Sequence, residues 1–187
     1  MRLGLKRNTV QLTDHNPEWE QAAAQAIEHL WEIFGSSAKD IQHVGSTAIK
    51  HIKAKPVIDI AVAVDNFAEK AEILTEKLES NGLRFCNLLD ERLTFSIDIN
   101  PTPNPDDRIT THYIHIVNAN GTAWHDFLNF RDYLNAHPSV AKAYEALKIK
   151  LASDNPFDVG RAQYLAGKQA FITQTLQDAK IFMKRGM

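Results

Sequence analysis

The chain has 187 residues, of which 44% are hydrophobic and 24% charged, the make-up of one globular domain large enough to bury a core without disulfide or metal staples. Lys and Arg number 21 against 23 Asp and Glu, a net charge of −2, which excludes a whole-protein basic footprint for duplex nucleic acid. The single cysteine, Cys86, excludes an intrachain disulfide and gives no sign of an oxidising compartment.

The first helix is announced by Asn16 as a cap and Pro17 at its first turn. Trp19, Ala23, Ala26, Ile27, Leu30, Trp31 and Phe34 then recur at helical spacing, and Gly35 closes it. A short strand is predicted over 41–44, followed by Gly45-Ser46-Thr47 and a basic loop. Next comes Pro56-VIDIAVAV-Asp65, a buried-strand signature. A second helix is predicted over 67–81, stopped by Gly82. Strands are expected over 83–88 and 92–99, the latter with Leu93, Phe95, Ile97 and Ile99 on one face and Arg92, Thr94, Ser96 and Asp98 on the other. The segment 100–107, NPTPNPDD, reads as a loop, and 112–117 as the last strand. From Thr122 onward the pattern is helical in three pieces, broken at Pro138 and Pro156.

The fold expected is α+β: a mixed sheet of about four to five strands flanked by helices, with a C-terminal helical cap. One domain is expected over 1–187, with an α/β core over about 1–120 and the cap over 121–187. The N-terminal MRLGLKRNTVQL lacks the apolar stretch of a signal peptide. The most apolar run, eight residues from Val57 to Val64, is far short of the roughly 20 a membrane span needs. No membrane association is expected, and the expected location is the cytoplasm.

Asp59 is the anomaly in that run. Strand alternation puts it on one face with Val57, Ala61 and Ala63, while Ile58, Ile60, Val62 and Val64 form the core face. The alanines leave room above the sheet. A carboxylate there has to be hydrogen-bonded, paired with a cation or metal-bound. The preceding loop is the second feature. Gly45 permits close backbone approach, Ser46 supplies a hydroxyl, and Lys50, His51, Lys53 and Lys55 follow, with no acid between His43 and Asp59. Either feature alone has a plain structural explanation. Together they resemble the nucleotidyltransferase signature, hydrophobic-Gly-Ser, a spacer, then Asp in an apolar strand, in which the turn holds phosphates and carboxylates hold a divalent ion.

The segment HVGSTAIKHIKAKPVIDIAVAV resembles more closely the defining stretch of the GrpB-like family, HVGST-(S/A)-(V/I)-P-G-L-x-A-K-P-(V/I)-I-D-I. FRDYLNAHP, AYEALK, Tyr164 and Lys168 continue the resemblance, which runs from about Gln11 to Leu176. It implies a nucleotidyltransferase-superfamily fold. Some members are fused to dephospho-coenzyme A kinase. Around Gly167-Lys168 there is no P-loop, since Ala162 and Gln169 stand where Gly and Ser/Thr are required, so a stand-alone domain is expected. The family's Pro-Gly is here Lys50-His51. The second carboxylate of a transferase pair is replaced by Ala61, and the family's later His-x-His strand reads Tyr113-Ile114-His115, so Asp98 or His115 is read as supplying the missing ligand.

The candidate catalytic residues are therefore Asp59 and His115, the same two serving as candidate ligands for Mg2+ or Mn2+. The candidate substrate-binding set is His43, Gly45, Ser46, Thr47, Lys55, Arg92, Arg131, Tyr144, Lys148 and Lys168. Arg131 shares an apolar stripe with Trp124, Phe127, Leu128 and Leu134, and Lys168 shares one with Tyr164, Phe171 and Thr175. Arg131 is read as pairing Asp59 or holding an anion bidentately. The function expected is metal-dependent nucleotidyl or phosphoryl transfer on a nucleotide or phosphorylated small molecule. The alternative is a non-catalytic nucleotide- or phosphate-binding module that lost the second carboxylate.

Overall fold

The computed structural model describes residues 3–89, 92–100, 102, 104, 107–154 and 162–185. Helix α1 (Glu18–Phe34) starts where the Asn16 side chain accepts the Glu18 N–H at 3.0 Å, and ends at Gly35 with φ 54°. Its apolar stripe buries Trp19, Ala23, Leu30, Ile33 and Phe34. The strands are β1 (Leu5–Lys6), β2 (Ala38–Val44), β3 (Ile58–Val64), β4 (Arg84–Leu89), β5 (Arg92–Asp98) and β6 (Ile109–Asn118). Helix α2 (Phe67–Ser80) follows β3.

These strands form one mixed sheet in the order β2-β3-β6-β5-β4, with β1 paired to β6. Only β3 and β6 run parallel; the other pairs are antiparallel. The expectation of four to five strands missed β1, whose two residues carry no periodic signal. Pro156 and the segment around it lie outside the described residues, as do Pro101, Pro103, Pro105 and Asp106 of the expected loop.

One face of the sheet is core. Ile58, Ile60, Val62 and Val64 of β3 pack with Leu93, Phe95, Ile114 and Ile116 against α1 and α2. The other face carries helices α3 (Thr122–Ala136), α4 (Pro138–Asp154) and α5 (Ala162–Arg185), the C-terminal cap. Ala61 and Ala63 are fully buried there beneath Trp124, with Phe127 and Leu128 beside it. The space expected above the alanines is thus mostly taken by α3, which small side chains let approach the sheet closely. On the rest of this face Asp59, Tyr113, His115 and Arg92 are partly exposed, while Thr94 and Ser96 are buried.

Two histidines belong to the core face. His43 pairs in register with Ile60, and His112 with Ile58. His43 Nε2 lies 2.9 Å from Thr47 Oγ1, and His112 Nδ1 lies 2.9 Å from Thr111 Oγ1. Burial, reinforced at His43 by Arg131, pulls both down from 6.5 to about 4 against the opposing charge of Asp59. Between those values the unfolded chain binds protons that the native state refuses. Stability is therefore full above about pH 6.5 and falls as the pH drops toward 4, by roughly 1–3 kcal/mol per histidine. Urea unfolding across that range checks this, and His112→Asn is expected to flatten the slope.

Candidate functional site

The site is built where β2 runs out and β3 begins. Val44 pairs with Asp59 across the two strands, so the next residue, Gly45, turns directly over the Asp59 carboxylate. Gly45 has φ +71°, and a Cβ on it would sit 2.8 Å from Asp59 Cβ and closer still to its carboxylate. Glycine is needed for both reasons. The chain then makes a single 3-10 turn, Ser46–Ala48, in which Ser46 Oγ lies 3.4 Å from Tyr144 OH.

Asp59 is met on its other side by His115, with Nε2 3.1 Å from Oδ1. The Asp59 side chain is 30% exposed and that of His115 is 13% exposed, so the pair can be reached from solvent. Burial is the largest influence on the Asp59 carboxyl and raises its pKa. The hydrogen bond and charge of His115, then the charges of Lys55 and Lys168, outweigh it and hold the group below the ordinary carboxylate value. Asp59 is therefore ionised at neutral pH, and the proton in the contact sits on His115 Nε2. Behind the ring, Nδ1 lies 3.5 Å from Thr94 Oγ1, and the Phe127 ring stacks at 5.1 Å.

His115 pairs in register with Ala61. Alanine at the position of the missing second carboxylate leaves the space into which the neighbouring imidazole reaches. Among the described residues no third His, Cys, Asp or Glu joins Asp59 and His115 as a metal-binding cluster. One carboxylate and one imidazole fit a divalent ion that displaces the proton between them and takes its remaining ligands from a bound molecule, and the nitrogen donor suits Mn2+ better than Mg2+.

The cations come from three separate elements. Lys55 lies in the loop, Lys148 on α4 and Lys168 on α5. Lys55 Nζ and Lys168 Nζ lie 5.0 and 4.6 Å from the centre of the Tyr164 ring, and Lys148 Nζ lies 4.7 Å from that of Tyr144. Tyr144 stacks on Phe171 at 5.3 Å, and burial pushes its hydroxyl up to about 12, so it remains a phenol. Lys148 is 1% exposed and donates to the Lys53 carbonyl. Burial, then repulsion from Lys168, brings it down to about 7 in spite of Glu145.

The cap also fixes the loop. Asn135 donates to the Ala48 carbonyl at 3.0 Å and accepts the Lys50 N–H at 2.9 Å. Lys142 donates to the His51 carbonyl at 2.8 Å, and Glu145 accepts the Lys53 N–H. His51, standing where the resemblance has glycine, keeps the left-handed conformation at φ 63°.

Of the candidate residues, Gly45, Ser46, Lys55, Asp59, His115, Tyr144, Lys148 and Lys168 come together. His43 does not, since it faces the core, and Thr47 is buried against it. Arg131 does not pair Asp59. It donates to Asp132 at 2.7 Å, to Gln42 at 3.0 Å and to the His43 carbonyl at 3.0 Å, which ties α3 to β2. Arg92 shares the site face but lies farther along it. Sequence reasoning missed Asn135 and Glu145, polar residues whose spacing gives no hint of the distant backbone they hold. Behind the loop, Lys50, His51, Ile52, Asn135, Pro138 and Lys142 line a separate surface cavity of about 420 Å3. None of the reactive groups opens into it.

Two substitutions test this geometry. Gly45→Ala forces a Cβ toward the Asp59 carboxylate at positive φ and is expected to cost about 1–2 kcal/mol in urea unfolding. Lys148→Met removes a group whose native value, about 7, lies far below its unfolded 10.5. The burden of Lys148 grows as the pH falls from 10.5 toward 7. The variant is therefore expected to be more stable at neutral pH, by about 1–3 kcal/mol, with the gain vanishing at high pH.

The sequence profile described as GrpB protein matches residues 9–178. The glutamate-rich protein GrpB of Alkalihalophilus pseudofirmus is 34% identical over 178 residues, covering 94% of this chain and 99% of that protein. The UPF0157 protein YqkA of Bacillus subtilis is 31% identical, covering 95% of this chain and 49% of that protein. The crystal structure of GrpB from Enterococcus faecalis superposes with a TM-score of 0.76 at 28% identity, over 90% of this chain and 96% of that one. The GLD-2/RNP-8 complex aligns at 0.52 and 12% identity, covering 84% of this chain and 59% of that one. The Cid1 poly(U) polymerase in its MgGTP-bound form aligns at 0.50 and 14%, covering 75% and 44%. These two share the fold alone, which is nucleotidyltransferase-like. With that fold, and with the Gly45-Ser46 turn set against Asp59, the chain belongs to the GrpB family.

Proposed function

We propose that this protein binds a nucleotide or phosphorylated small molecule over the Gly45-Ser46 turn and transfers its nucleotidyl or phosphoryl group at Asp59 and His115. One observation carries the reading. The turn is pressed onto an ionised carboxylate on which charges from Lys55, in the loop just before β3, and from Lys168, on α5, also converge. Phosphates fit such a place, because the turn allows close backbone approach and the lysines spread the negative charge that builds up in transfer. Tyr144 holds the Ser46 hydroxyl in position, and Lys148 adds a further ammonium when protonated. Asp59 and His115 would hold the divalent ion, Mn2+ or Mg2+, whose part is to neutralise phosphate charge. The MgGTP-bound form of the Cid1 polymerase, on the same fold, supports the choice of ligand.

Ala61 favours a second reading, binding without transfer, because a two-carboxylate metal centre is not formed. The cytoplasm remains the location we infer. Among the described residues no helix is long and apolar enough to cross a membrane.

The decisive experiment incubates the protein with labelled nucleoside triphosphates, Mn2+ or Mg2+, and candidate acceptors. Transfer is expected, and Asp59→Asn is expected to lower it about 100-fold or more. Calorimetry runs in parallel. Lys168→Met is expected to weaken triphosphate binding roughly tenfold, and Mn2+ binding read by electron paramagnetic resonance is expected to disappear in Asp59→Asn. Tight binding without turnover selects the second reading; no binding at all rejects both.

A further inference from the structure

The polar face of β5 is not used by the reading above. Arg92, Thr94 and Ser96 lie there in register with Val117, His115 and Tyr113 of β6, which in turn pair with Ala63, Ala61 and Asp59 of β3. Asp59, His115 and Arg92 therefore form a diagonal across the sheet, each one strand over and two residues along from the last. That spacing separates the first and last backbones by about 16 Å. The lysines gather at the Asp59 end, so Arg92 marks the opposite end.

Arg92 differs from Arg131 and from Arg84 of β4. Arg131 is saturated by Asp132, Gln42 and a backbone carbonyl, and Arg84 donates to Asp98 at 2.8 Å. Arg92 is partly buried, its Nε has no hydrogen-bond partner, and its described contact is the Phe127 ring, 6.0 Å from Cζ. Ser96, on the same face but in the row of Tyr113 and Asp59, is fully buried and its hydroxyl also lacks a partner. Two polar groups left unsatisfied on one strand face are costly to folding. A guanidinium fork so placed, with a ring behind it and no acceptor among the described residues, suits a planar or tetrahedral oxyanion.

We propose that Arg92 is a second anion subsite that holds a phosphate or carboxylate on the acceptor, so that the acceptor is itself an anionic molecule reaching from Asp59 past His115. The acceptor role rests on the transfer reading above; the subsite does not. Donor phosphates occupy the lysine end, the acceptor's own charge occupies the arginine end, and the reacting groups meet between them at Asp59 and His115. Because the two anionic ends are bound by separate cations, they are held apart instead of competing for one set of lysines.

The test reads Arg92 directly. In a 15N-labelled sample its Nε–H signal, identified by its loss in Arg92→Lys, is titrated with inorganic phosphate and with malonate. A saturable shift is expected with at least one probe. Phosphate acting alone assigns a phosphorylated acceptor, and malonate acting alone a carboxylated one. Nearby amides of Thr94 and His115 are expected to follow the same curve, weakened roughly tenfold in Arg92→Lys. Lys168→Met is expected to leave it unchanged. No saturable shift with either probe, or an affinity lost with Lys168 and not with Arg92, overturns the subsite. ATP titrated into the same sample reads the other end through the Gly45 and Ser46 amides. Failure there with success at Arg92 keeps the subsite and removes the nucleotide reading; the reverse removes the subsite alone.

Discussion

An ionised carboxylate set into the most apolar strand of a sheet is the constraint from which the remaining arrangement follows. Asp59 cannot stay charged there unless neighbours replace the water it has lost. The chain meets this demand with three devices. A glycine lets backbone pass directly over the carboxylate. An imidazole on the adjacent parallel strand donates to it. Ammonium groups from a loop and from α5 lower its pKa from a distance. Each device also suits an incoming phosphate, which brings charge of the same sign as the carboxylate and meets the same cations.

The loop that carries the turn is not a free connection. Its carbonyls and amides are held by Asn135 from α3 and by Lys142, Glu145 and Lys148 from α4. The C-terminal helices therefore act as a brace, and that brace delivers Tyr144 to Ser46. A left-handed His51 within the same loop is tolerated because the neighbouring hydrogen bonds determine the backbone around it. Lys148 shows the cost of this design. It is a lysine kept almost out of solvent, facing another lysine, with a backbone carbonyl as acceptor.

Within the nucleotidyltransferase-like fold the local chemistry is altered. Where a second carboxylate would project from β3, Ala61 lies buried and His115 reaches across from β6. The pair proposed to hold an ion is thus one oxygen and one nitrogen donor in place of two carboxylates. On the far side of His115 the sheet stays polar, and Arg92 and Ser96 stay unsatisfied.

Alternation in β3 alone placed Asp59 opposite the core, and the Pro, Gly and apolar punctuation set out the helices and five of the six strands, because these are local properties of the chain. Motif resemblance identified the turn and the family on similarly local grounds. The roles of Arg131 and Arg92 were decided elsewhere. Helical spacing put Arg131 on an inward stripe without saying that Asp132, Gln42 and a β2 carbonyl would consume it. His43 looked like part of the phosphate turn, yet a step of one residue along β2 turned it to the core face. Register, pairing across distant strands and the brace on the loop depend on contacts between residues up to roughly a hundred positions apart, such as Ser46 with Tyr144. No local pattern encodes such contacts; only the packed sheet and its helices select them.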